Sequence, residues 1–218
     1  MDRILRGEPG WQQAIGEALA RAPRPLVEPT NVRTVDGDAS LERFDRRAMP
    51  PARRASTLLL LYPDADGNLT IPLTVRRPDL RTHAGEVSLP GGSVDQTDAS
   101  REAAALREAH EEIGVEPDSV SLVGTLDDIW IPVTNFELRP FVGTLVERPQ
   151  MVPQDREVAA IVELPLRLIL SGEILGEEEI EVRGLRLRAA VYRHAGQRIW
   201  GATQRTLAML VAALDSAG

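Results

Sequence analysis

The sequence predicts an α+β fold, an α/β/α sandwich with a mixed β-sheet and helices packed on it. Three observations predict it. Strand-sized apolar segments arrive in runs, helical patterns stand before, between and after them, and 218 residues at 43% hydrophobic content suffice to bury one good-sized core. One functional unit with extensions is expected: an N-terminal helix and extended lead-in over 1–54, and a main domain over 55–218.

Taken in order, residues 8–21 read as a short amphipathic helix, with Trp11, Ile15 and Leu19 on one stripe and Pro9 near its start. It could cover the sheet, lid a site or mediate a homodimer. Residues 23–51 lack periodicity and are rich in Pro, Asp and Arg, so they predict an extended, surface-hugging lead-in. The run 56–63 is a strand, the turn residues Asp64 to Asn68 follow, and 69–77 returns as a second strand, a hairpin pattern. After a loop and the segment 85–92 comes a helix over 99–113, with Ala103, Leu106, Ala109 and Ile113 as its buried stripe, Asp98 as N-cap and Gly114 as its stop. Further strands are expected at 119–126, 138–146, 157–165 and 185–193, and a last helix at 202–214.

Charge and composition exclude several classes. A net charge of -8 and a pI near 5.0 argue against a nucleic-acid or anionic-membrane binder, which needs a broad basic field. The absence of cysteine removes disulfides, zinc thiolate sites and cysteine nucleophiles. All 25 basic residues are arginine, so any charged side chain that holds phosphate must be a guanidinium. The N-terminus lacks the apolar run of a signal peptide and no stretch approaches membrane-spanning length, which sets a cytoplasmic expectation.

The strongest chemical content lies in Arg107-Glu108-Ala109-His110-Glu111-Glu112-Ile113-Gly114-Val115. On a helix Glu108 and Glu112 stand one turn apart on one face, with Glu111 beside them. Glu108 and Glu112 have no basic neighbour three or four residues away. Such a cluster invites a hard divalent cation, Mg²⁺ or Mn²⁺, as counterion. Gly91 and Gly92, just upstream, let backbone approach closely.

These residues resemble the Nudix box, a glycine, five residues, a glutamate, seven residues and then REUXEEXGU, with U aliphatic. Arg107 to Val115 fits every fixed position of the second half, with Ala109 as U. In the first half the register departs. One inserted residue restores it, since Gly92 plus five residues reaches Asp98 in place of the glutamate. Upstream, Arg76, Arg81, Gly85 and Pro90-Gly91-Gly92 resemble the coenzyme A pyrophosphatase signature at the correct spacing, with Arg77 where that signature has Ser or Ala and Leu89 where it has Phe. Residues 94–100 and 199–203 are also similar to that branch, and the resemblance covers roughly 55–214.

The resemblance implies a Nudix α/β/α sandwich and metal-dependent hydrolysis of a diphosphate bond in a small nucleotide derivative. Glu108 and Glu112 are the implied metal ligands and Glu111 a further ligand or a base. Glu157, ahead of a strand, is the implied loop acid, Arg107 orients the glutamates, and Arg76, Arg81, Gly91 and Gly92 are the implied substrate contacts. Coenzyme A or an acyl-CoA is the leading substrate; ADP-ribose, NADH or a nucleoside triphosphate is the alternative, and a catalytically silent nucleotide sensor a third reading. Trp130 and Phe136 are either base-stacking or structural aromatics, and His83 and His110 are expected outside the chemistry.

Overall fold

The computed structural model describes residues 2–27, 32–35, 46–80, 85–182 and 184–216. Five helices are described, α1 (Asp2–Leu5), α2 (Trp11–Arg21), α3 (Arg101–Ile113), α4 (Leu166–Ser171) and α5 (Gly201–Asp215). The strands are β1 (Val32–Thr34), β2 (Arg53–Pro63), β3 (Leu69–Arg76), β4 (Val87–Ser88), β5 (Gly91–Ser93), β6 (Ser121–Thr125), β7 (Ile129–Ile131), β8 (Phe136–Thr144), β9 (Val158–Pro165), β10 (Leu175–Val182), β11 (Leu185–His194) and β12 (Gln197–Ile199). Among the described residues, eight of them make one mixed sheet, in which β2 runs parallel to β8 and antiparallel to its other partners, and β1, β10, β11 and β12 make a second.

The central strand explains the layering. Leu58 to Leu61 are each 0% exposed, the mark of a strand covered on both faces. Leu58, Leu60 and Tyr62 point toward Ala105, Ala109 and Ile113 of α3. Leu59 and Leu61 point the other way, into a core shared with Ile15 of α2 and with Leu207 and Leu210 of α5. That alternation is the sandwich, and α2 therefore covers the sheet.

The hairpin forms as expected, but its strands stay paired only at Tyr62↔Thr70 and Pro63↔Leu69. Beyond that they part. The outer part of β2 takes β8 and β5, whereas β3 takes β9 and β4.

Helix α3 departs in detail from expectation. It starts at Arg101, and its N-cap is Ser100, whose hydroxyl accepts from the Ala103 N–H. Asp98 is held elsewhere, as described below. Ala103 and Leu106 are only partly covered; Ala104, Ala105, Ala109, Glu112 and Ile113 are the buried residues. The buried face is thus rotated from the expected one, and it includes a carboxylate, Glu112. Strands β1, β4, β5, β7, β10 and β12 and helices α1 and α4 are additional to the elements expected from sequence. No helix among the described residues is long and apolar enough to cross a membrane.

Candidate active site

Two strands and one helix assemble the site. The Pro90 carbonyl accepts from the Leu58 N–H at 2.9 Å and the Thr57 hydroxyl at 2.6 Å, which seats Gly91 and Gly92 flat against β2. A Cβ on Gly91 would lie 2.5 Å from the Ser56 carbonyl oxygen, and one on Gly92 would lie 2.5 to 2.7 Å from the carboxylate of Glu108. At Gly91 the clash is with backbone, so only glycine fits; at Gly92 a Cβ would have to displace the Glu108 carboxylate. The Gly91 N–H in turn points to Glu112 Oε2 at 3.3 Å.

Glu112 is 5% exposed. Burial, with the Glu108 carboxylate as the next cause, pushes its pKa up to about 8, against the smaller opposing pull of the Gly91 N–H and Arg76. Burial also raises Glu108, while the guanidinium of Arg107 pulls it back down. Arg107 organises this face. Its Nη1 donates to Glu108 at 3.0 Å and to Glu111 at 3.1 Å, and its Nη2 to the Ser93 carbonyl at 3.1 Å. Its Nε and Nη2 grip both oxygens of Asp98 at 2.9 and 3.0 Å. Asp98 is 4% exposed at its side chain, and the Arg107 fork holds its carboxyl below the usual range. Thus Asp98 ties the loop before α3 to the middle of the helix, a tertiary job in place of the capping one.

Across the site stands Arg76, at the end of β3. Its Nη1 is 3.9 Å from Glu112 Oε1 and its Nη2 is 3.6 Å from Glu157 Oε2. Its buried Nε has no hydrogen-bond partner among the described residues. Arg76, Glu108, Glu112 and Glu157 are therefore brought together, with Arg107, Glu111, Gly91 and Gly92 around them. Arg81 and His83 lie outside the described residues. His110 sits away from the cluster, its Nδ1 3.2 Å from the Val115 carbonyl. Trp130 and Phe136 are each faced by an arginine, Arg46 at 5.8 Å and Arg53 at 4.1 Å from the ring centres.

Sequence reasoning missed the support of Glu157. The Gln154 N–H donates to the Glu112 carbonyl at 2.9 Å and the Val152 N–H to the Ile113 carbonyl at 3.0 Å, so the loop leading to Glu157 is bonded to the last turn of α3. These carbonyls are unpaired within any helix end, which is a signal, but nothing in the sequence says which segment takes them.

The donor set suits a hard divalent cation. Among the described residues no three acidic or imidazole side chains stand as a ready-made ligand cage, and Glu111 is turned onto Arg107. The fit rests on chemistry: two carboxylates share a corner where burial raises both and the Glu108 charge adds to the rise at Glu112, beside a glycine that leaves them room.

A family model described as the NUDIX domain matches residues 52–181, more than half of the chain. This chain belongs to the Nudix family. "Uncharacterized Nudix hydrolase NudL" of Enterobacter sp. (strain 638) is 39% identical over 131 residues, 60% of this chain and 68% of that protein. The protein of the same description from Citrobacter koseri is 36% identical over 169 residues, 78% of this chain and 81% of its own. The crystal structure of a MutT/nudix family protein from Enterococcus faecalis matches with a TM-score of 0.50 and 15% identity, over 83% of this chain and 74% of that one, a likeness of fold alone. Helix α3 lies within the matched residues, and the two NudL relatives are described as Nudix hydrolases.

Proposed function

We propose that this Nudix enzyme hydrolyses the diphosphate linkage of coenzyme A or an acyl-CoA, releasing 3',5'-ADP and 4'-phosphopantetheine or its acyl form. The hydrolase unit is taken as 55–218. The observation that carries the proposal is the convergence of Glu108 and the buried Glu112 on one face with Arg76 across from them at 3.9 Å. On this reading Glu108 and Glu112 serve as anionic metal ligands and Arg76 as a cationic phosphate contact within one small volume.

A diphosphate resists attack because its oxygens repel an incoming nucleophile. Glu108 and Glu112 would hold Mg²⁺ or Mn²⁺, with Glu111 as a further ligand once released from Arg107. The bound ion supplies charge neutralisation and a more acidic water. Glu157, half-exposed and reaching into the site, accepts the proton of the attacking water, with Glu111 as the alternative base. The water oxygen joins one phosphorus, the bridging P–O bond breaks, and the leaving phosphate departs as an anion. Arg76 steadies the phosphoryl oxygens as that charge shifts, and Arg81 is assigned the distal phosphate. Arg107 keeps Glu108 oriented throughout, and Glu111 until its release.

A comparison of kcat/KM for coenzyme A, ADP-ribose, NADH and dATP with Mg²⁺ or Mn²⁺ tests the substrate. Coenzyme A should lead, and Arg76→Ala should cost it about tenfold or more through the lost charge-assisted contact. Preferred turnover of ADP-ribose or NADH would move the protein to another Nudix activity, and no turnover of any would favour a nucleotide sensor.

A further inference from the structure

Arg77 occupies the position where the coenzyme A pyrophosphatase signature has Ser or Ala, and the structure gives its side chain a use that neither could serve. Its Nη1 donates to the Asp155 carbonyl at 2.8 Å, while Nε and Nη2 grip the Asp79 carboxylate at 2.9 and 3.0 Å. Its own N–H donates to the Glu157 carbonyl at 2.9 Å. One residue therefore joins the turn that follows β3 to the segment 155–157 that enters β9.

The site of that junction matters. Val75 pairs with Ala160 and Arg76 with Val158, so β9 carries one extra residue there, a bulge that re-aims the chain. The far end of the segment is bonded to α3 through the Gln154 N–H and the Glu112 carbonyl. Glu157 is suspended between these two anchors. Its side chain is 51% exposed and meets Arg76 at 3.6 Å, beyond hydrogen-bond length, so its position is set through the main chain.

We propose that Arg77 is a positioning residue for Glu157, a clasp that fixes the loop acid opposite Glu112. The inference rests on the role given to Glu157 above. A guanidinium suits the task because its planar fork grips a carboxylate with two N–H groups on one edge and a carbonyl on another, whereas a lysine ammonium lacks the fork and a serine hydroxyl has one donor. The Arg77–Asp79 pair is exposed on both sides, at 42% and 63%, so it adds little to global stability. Its consequence falls on the geometry of the site.

The test is a double-mutant cycle of Arg77→Ser and Glu157→Gln, with Arg77→Lys as the conservative variant, read by kcat and KM for coenzyme A and by amide hydrogen exchange over 153–157. Arg77→Ser is expected to lower kcat by about tenfold to a hundredfold with KM little changed, consistent with a displaced catalytic group. It should lower kcat no further in the Glu157→Gln background, and Arg77→Lys should recover only part of the loss. Exchange over 153–157 should quicken in Arg77→Ser with the melting temperature unchanged. Multiplicative effects, a wild-type rate in Glu157→Gln, or unaltered exchange would overturn the clasp. Failure of the wild type to cleave coenzyme A would strike the substrate reading instead, leaving exchange to decide the clasp.

Discussion

At the scale of single residues, the site is built on a glycine pressed against backbone, a glycine pressed against the Glu108 carboxylate, and one buried carboxylate with a raised proton affinity. Gly92→Ala would press a methyl against the Glu108 carboxylate, at 2.5 to 2.7 Å in the present geometry. A protein that still folds but loses about a hundredfold in kcat is the expected result, checked by circular dichroism beside the assay. Glu112, with its pKa pushed up to about 8, makes metal-free stability depend on pH. A raised carboxyl contributes stability that is complete below its unfolded value, near 4.3, and is lost as pH rises through about 8. In EDTA, the melting temperature of the wild type should therefore fall across that window relative to Glu112→Gln, and added Mg²⁺ should restore it most at the alkaline end. Parallel curves for the two proteins would show that Glu112 is not strained by burial. The Glu108 and Glu112 pairing was legible from sequence, because one helical turn puts them on one face. The burial of Glu112 was not, since it depends on how far α3 rotates against β2.

At the scale of elements, Asp98 shows what a local rule cannot see. An acidic residue ahead of a helix suggests a cap, yet Ser100 does the capping and Asp98 reaches nine residues on to Arg107. Asp98→Ala leaves that guanidinium without its bidentate partner, and a loss of about 1.5–3 kcal/mol in denaturant unfolding is expected, together with a lower kcat. Ser100→Ala, by contrast, should cost about 1 kcal/mol and leave kcat nearly intact. Strand β10 escaped the sequence for a similar reason. Its run of glutamates breaks any apolar alternation, and its partners come from other strands: Glu179 opposite Arg188 at 2.9 Å, and Glu178 with Arg193 at 2.6 Å.

At the scale of the whole molecule, the N-terminal helix belongs to the same core as the sheet. Ile15 is 0% exposed, and Leu19 packs so closely on β6 that a Cβ at Gly124 would come within 2.9 Å of it. Ile15→Ala is expected to cost about 2–5 kcal/mol of stability without changing KM, as a cavity distant from the carboxylates should. The amphipathic stripe of α2 was legible, but its destination was not, because periodicity gives a buried face and says nothing of what buries it. The central claim is that the buried carboxylate cluster of this fold hydrolyses a diphosphate bond in coenzyme A. The most direct test is the mass of the products when coenzyme A and Mg²⁺ are incubated with wild type and with Glu112→Gln. The account predicts 3',5'-ADP and 4'-phosphopantetheine from the wild type and intact coenzyme A from the variant; intact coenzyme A from both, or equal cleavage by both, would contradict it.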